Sequence, residues 1–181
     1  LFDRDEIPPE VIRNTMLYCL DCYSKEGIPG KRGTSRAAMM FLSNWLNEFG
    51  NLGMMTVSSE YLSGSEVYIG PGSRINQALS HGGAAVVRLF LDEPHYVLLT
   101  GVKDGSILLF DPYYWDEPYE EKDILIDLEH PRAYNREVPF RYFNREEDVL
   151  YALGKVNARE AVLVYNEKTR VPVEEVIEYF I

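Results

Sequence analysis

Apolar residues recur at three- and four-residue intervals through the first part of the chain and at alternate or continuous positions later, so the sequence divides into a helical front and a strand-rich remainder. After a proline pair, "PPEVIRNTMLYCLDCY" sets Val11, Ile12, Thr15, Met16, Cys19, Leu20 and Tyr23 at helical spacing, which predicts a first helix over about 9–24. "EGIPGKRG" breaks it. The next segment, "TSRAAMMFLSNWLNEFG", offers Thr34 or Ser35 as N-cap, apolar residues nearly all round from Ala37 to Phe49, and Gly50 as C-cap. A helix this apolar is expected to be central and buried.

From 51 to 73 glycine and serine dominate, which predicts loops with a small exposed strand or helical turn. "GSRINQALSHGG" fits a short helix capped by Ser73 and stopped by Gly82. Three strand-like runs follow, "AAVVRLFL", "HYVLLTG" and "SILLFD", the last two joined by the turn "KDG" as a hairpin. Beyond them lies an acidic, aromatic stretch with a strand expected near 124–128. "NREEDVLYALGKVN" reads as a helix with Asn144 as cap and acids in its first turn. "AVLVYN" reads as a last strand and "VPVEEVIEYFI" as a terminal helix or strand. The whole is a single α+β domain over 1–181, with a buried helix packed on an antiparallel sheet.

Composition narrows the function classes. With 46% hydrophobic and 26% charged residues the chain is an ordinary globular one, and no apolar run approaches the roughly 20 residues that a spanning helix needs. A net charge of -11 disfavours nucleic acid and anionic surfaces, leaving cationic or neutral partners. Cys19 and Cys22 form a lone CxxC with no second pair to complete a zinc site. They lie late in the first helical pattern and on its apolar stripe, as expected of buried reduced thiols. His81 is expected at a helix C-terminus and His130 in a loop, so neither a metal site nor a cofactor is expected. The chain opens "LFDRDEIPPE", without an initiator Met or a basic-then-apolar leader, which suggests a mature or trimmed product. It leaves cytoplasmic and secreted locations open.

The hairpin carries the chemistry. Antiparallel strands return the chain to its start, so His95 at the entry and Asp111 at the exit are brought together across 16 positions. A histidine beside a carboxylate is the base and orienter of a triad. The plainer alternative is a hairpin-end histidine bonded to backbone, with "DP" initiating a turn. The tract that follows, "DPYYWDEPYEE", reads either as a surface loop covering the sheet or as a groove wall that holds an extended or basic peptide.

From about residue 28 to 114 the sequence resembles the C39-like branch of the papain-like cysteine peptidases, most of all in "INQALSHGGAAVVRLFLDEPHYVLLTGVKDGSILLFDPYY". The resemblance implies a papain-like fold, with His95 at the family's catalytic histidine and Asp111 at the aspartate that orients it. It aligns "GTSRAAMMF" with the family's nucleophile helix, which puts Thr34 at the cysteine's position and Ser35 beside it as an alternative nucleophile. No cysteine stands there, and the apolar Ile28 falls where an oxyanion-hole glutamine is usual. The expectation is a catalytically inactive C39-like protein whose cleft binds a peptide or protein partner. The alternative is an active hydrolase or acyl transferase using Ser35, Thr34 or a CxxC thiol with His95 and Asp111. A third reading is a purely structural domain in a larger system.

Overall fold

A computed structural model describes residues 7–18, 28, 33–129 and 133–166. Two helices come first, α1 (Pro9–Tyr18) and α2 (Arg36–Asn51). β1 (Val57–Ser63), α3 (Arg74–Ser80), β2 (Ala84–Phe90), β3 (Pro94–Lys103) and β4 (Ser106–Phe110) follow. The described chain closes with β5 (Leu125–Ile126), β6 (Arg136–Pro139) and β7 (Glu160–Asn166), with short 3-10 turns between. The seven strands form one antiparallel sheet in the order β1-β7-β2-β3-β4-β6-β5. This is the expected α+β class. Among the described residues no helix is long and apolar enough to cross a membrane.

Alternation along the strands decides what each face carries. Ala85, Val87 and Leu89 of β2, Val97 and Leu99 of β3, Ile107 and Leu109 of β4, and Ala161 and Leu163 of β7 all point to one side, where Ile75, Ala78 and Leu79 of α3 meet them. That is the main core, and each of its valines, leucines and isoleucines contributes about 1.5–3 kcal/mol by leaving water. On the other side, among the described residues, α2 covers β1 and β7. There Trp45 and Phe49 of α2 pack on Val57 and Val164 in a smaller apolar cluster.

Four local expectations need correction. α2 is not central: it buries Ala38, Met39, Leu42, Ser43 and Phe49, while Met40 and Phe41 stay 46% and 43% exposed. The short α3 takes the central place instead, because it lies over the middle strands. Residues 57 to 63, in a stretch expected to be mostly loop with a small exposed strand or helical turn, form a seven-residue strand held by β7, and 136 to 139 pair with β4. No α-helix forms over 145–155, and only a 3-10 turn (Val156–Ala158) follows. The reason lies in Asn144, whose amide accepts from the Ile69 N–H at 2.9 Å and donates to the Ile69 carbonyl at 2.7 Å, and so is not available as a helix cap. The expected first helix is seen to Tyr18; its continuation, Cys19, Cys22, His130 and the terminal "VPVEEVIEYFI" lie outside the described residues.

Gly50 also differs from expectation. It sits inside the last turn of α2, and Leu52 is the C-cap. What fixes its identity is space, because a Cβ there would stand 1.8 Å from the Val57 carbonyl oxygen, a backbone atom. The lack of a side chain lets the helix end lie against the edge strand. Gly50→Ala is therefore expected to destabilise the protein by about 2 kcal/mol or more, well beyond an ordinary Gly→Ala change in a helix, as measured by urea unfolding.

Candidate functional site

β3 and β4 pair Leu99 with Leu109, and the face-sharing positions two residues outward are Val97 and Asp111. His95 lies two residues before Val97 and opposite Leu89 of β2. By register, then, both His95 and Asp111 look toward the main core, at one end of the sheet. The His95 Nε2–H reaches Asp111 Oδ1 at 3.0 Å and Oδ2 at 3.1 Å. A carboxylate only accepts, so Nε2 carries the proton and, in the neutral ring, the lone pair is on Nδ1. Nδ1 is closed off from solvent and, among the described residues, makes no well-aligned hydrogen bond, with the Glu93 backbone lying beside the ring.

Asp111 is 1% exposed and held from every side. The Tyr113 N–H donates to Oδ1 at 2.9 Å, and the Tyr151 hydroxyl donates to Oδ2 at 3.2 Å. The Asn135 side chain clamps its backbone, accepting from the Asp111 N–H and donating to the Asp111 carbonyl at 2.7 Å each. Behind Tyr151 stand the Tyr119 hydroxyl at 3.0 Å and then Arg136, whose Nε donates to Tyr119 at 3.2 Å. Arg136 is itself 1% exposed and spends its remaining donors on the carbonyls of Asn135, Tyr113 and Trp115. A buried guanidinium is stable only when its donors are so satisfied.

Tyr151, Tyr119, Asn135 and Arg136 were not singled out by the sequence. The one available signal was "REVP", a strand-like run opening on an arginine. Tyr151 was hidden inside the expected helix, whereas it stands at φ 56°, a conformation unusual for so large a residue. Its backbone bridges to Phe90, with the Tyr151 N–H donating to the Phe90 carbonyl at 2.7 Å and the Phe90 N–H to the Ala152 carbonyl at 2.9 Å.

The expected nucleophiles are placed elsewhere. Ser35 is the N-cap of α2 as expected, accepting from the Ala38 N–H at 3.1 Å. However, the start of α2 is moored on the other face of the sheet. Arg36 donates to the Arg159 carbonyl at 2.9 Å and lies 3.7 Å from Glu160, the residue two before Val162 on that face. Glu160 is 1% exposed and also accepts from Tyr61 at 3.0 Å and Tyr96 at 2.8 Å, with Arg88 3.8 Å away. Burial and the Glu160 charge push the Tyr61 hydroxyl up to about 12, and Tyr96 upward as well, so both remain donors. The sheet thus separates Thr34 and Ser35 from the His95 ring, which corrects the expectation that the helix start meets the dyad. The physical cause is the pull of Glu160 on Arg36 together with the packing of Phe49 on Val57.

Other expectations fall as follows. His81 does cap α3, its Nδ1–H donating to the Gln77 carbonyl at 2.7 Å. Among the described residues no group of three or more His, Cys, Asp or Glu converges on a common point. Two open surface hollows, one lined by Glu146, Lys155 and Asn157 and the other by Met40, Asn44 and Tyr61, both leave out His95 and Asp111. Chemistry rather than concavity marks the dyad. Beside it, Tyr113 and Tyr114 are 52% and 74% exposed, and the acids Asp116, Glu117 and Glu120 follow.

Burial works against the charged form of His95, but the hydrogen bond and charge of Asp111, helped by the Glu93 backbone, outweigh it and hold the pKa above 6.5. A raised folded-state value adds stability that is fully present below the unfolded value of about 6.5 and is lost as pH rises through the folded one. In Asp111→Asn the NMR-measured pKa of His95 is expected to fall, and this acid-side contribution to stability to vanish. An unchanged pKa would mean that the pair is not coupled.

Face separation predicts a second outcome. A thiol installed by Thr34→Cys should react with iodoacetamide at the same rate with and without His95→Ala, read at the labelled site by mass spectrometry. A rate that collapses in the double variant would place the helix start beside the ring.

No family model, curated protein or solved structure matches the chain, so its function is argued from the dyad and the surface around it.

Proposed function

We propose that the chain is a C39-like domain of papain-like type that has lost its nucleophile and acts by binding a peptide or protein partner. The family reading is supported by the order of parts: a long N-terminal helix, a strand with His95 at its start, and a next strand followed at once by Asp111. The position of α2 across the sheet is where the chain departs from that family's plan. The observation that carries the non-catalytic reading is the His95 ring. Asp111 takes Nε2, and the nitrogen left to serve a nucleophile is shut away from solvent. A general base must reach the proton that it removes.

The binding reading is supported by the chain after Asp111. Arg136 pins the Tyr113 and Trp115 carbonyls, so the backbone that carries the exposed rings is held in place before any ligand arrives, which lowers the ordering cost of binding. Aromatic faces beside Asp116, Glu117 and Glu120 suit a segment rich in Lys and Arg, and a net charge of -11 steers such a segment in.

Two measurements test this. Fluorophosphonate and iodoacetamide probes should give no labelling that His95→Ala abolishes; such labelling at Ser35, Cys19 or Cys22 would establish the hydrolase reading instead. In a titration with Lys- and Arg-rich peptides, Tyr114→Ala and Trp115→Ala should each weaken binding by about 1 kcal/mol, roughly fivefold. The affinity should also fall as salt rises. Equal binding of an acidic peptide would defeat the charge argument.

A further inference from the structure

We propose that Tyr151 is a positioning residue for His95: its buried hydroxyl, backed by Tyr119 and Arg136, fixes the second oxygen of Asp111 and through it the orientation and charge of the imidazole. Asp111 Oδ2 receives both the Tyr151 hydroxyl and the His95 Nε2–H, at 3.2 and 3.1 Å. Oδ1 is shared in the same way between Nε2 and the Tyr113 N–H. Every donor on the carboxylate thus competes with the ring for its charge, and among the described residues Tyr151 is the one side-chain competitor. Burial, the Asp111 charge and Tyr119 all raise the Tyr151 hydroxyl, which keeps it a donor across the accessible pH range.

The backbone argues the same way. At φ 56° glycine or asparagine would satisfy the turn with less strain, yet the position holds a fully buried tyrosine. The bridge to Phe90 places Tyr151 beside the end of the sheet that carries His95, because Phe90 adjoins Leu89, the cross-strand partner of His95. The kink and the bridge together bring a hydroxyl from 40 positions away under the carboxylate. Among the described residues the groups facing the His95 ring are Asp111, just after β4, and the Glu93 backbone from the preceding turn, with Tyr151 acting through Asp111.

The test is the NMR titration of His95 in the full chain. Tyr151→Phe keeps the ring and removes the hydroxyl; the carboxylate, having lost a donor, should hold the imidazolium more tightly, raising the His95 pKa by about half a unit or more. Tyr119→Phe leaves the Tyr151 hydroxyl in place and should move it the same way by less. Thermal unfolding of each variant reports the structural loss separately. A purely structural role would lower stability and leave the titration where it was, and an unchanged or lowered pKa in Tyr151→Phe would overturn the proposal. Where Tyr151→Phe fails to fold, Tyr119→Phe decides by the same sign. Neither result depends on peptide binding, so this inference and the proposed function fail separately.

Discussion

Neighbouring side chains on a strand leave opposite faces of the sheet, and in a seven-stranded sheet this rule divides the chemistry of the whole molecule. Leu89, Val97 and Leu109 face α3, so His95 and Asp111, in the same phase, must face that way too. Tyr96, one residue on from His95, must face away, and it bonds Glu160 on the far side. A one-residue slip of β3 against β2 would exchange these two histories. Register is held by the apolar set, since slippage would turn every core side chain of β3 out to water.

Among the described residues each face carries one buried carboxylate, and the two are solved differently. Asp111 is satisfied by neutral donors and one imidazole, with a buried arginine standing two tyrosines away. Glu160 is satisfied by two tyrosines and flanked by two partly exposed arginines. Truncating either carboxylate would strand several buried donors, which costs more than the bonds themselves contribute. The Glu160 group has a clear structural task, mooring the start of α2. The Asp111 group moors a histidine that touches no nucleophile among the described residues, and it also reaches, through Arg136, the aromatic loop at the surface.

Several elements were legible in the sequence because their determinants are local. Ser35 and Ser73 cap helices through their own side chains, the "KDG" turn makes the β3–β4 hairpin, and hairpin geometry alone brings His95 to Asp111. Where a residue's partner is distant, the reading failed. Asn144 looked like a helix cap but serves the Ile69 backbone, 75 positions away, and the expected helix was lost with it. Val57 to Ser63 gave only a glycine- and serine-flanked run, and their strand exists because β7 lies alongside.

The sequence by itself determined the α+β class, the main helices, the central strands and the His95–Asp111 pair, all of which rest on periodicity, capping and turn chemistry within a few tens of residues. Tertiary structure alone decided on which face of the sheet α2 packs, that Tyr151 lies beneath Asp111, and that Arg136 ties the dyad to the aromatic loop. Those outcomes depend on strand order and on buried charges finding partners across the fold, energies that belong to no local segment and so leave no local pattern to read.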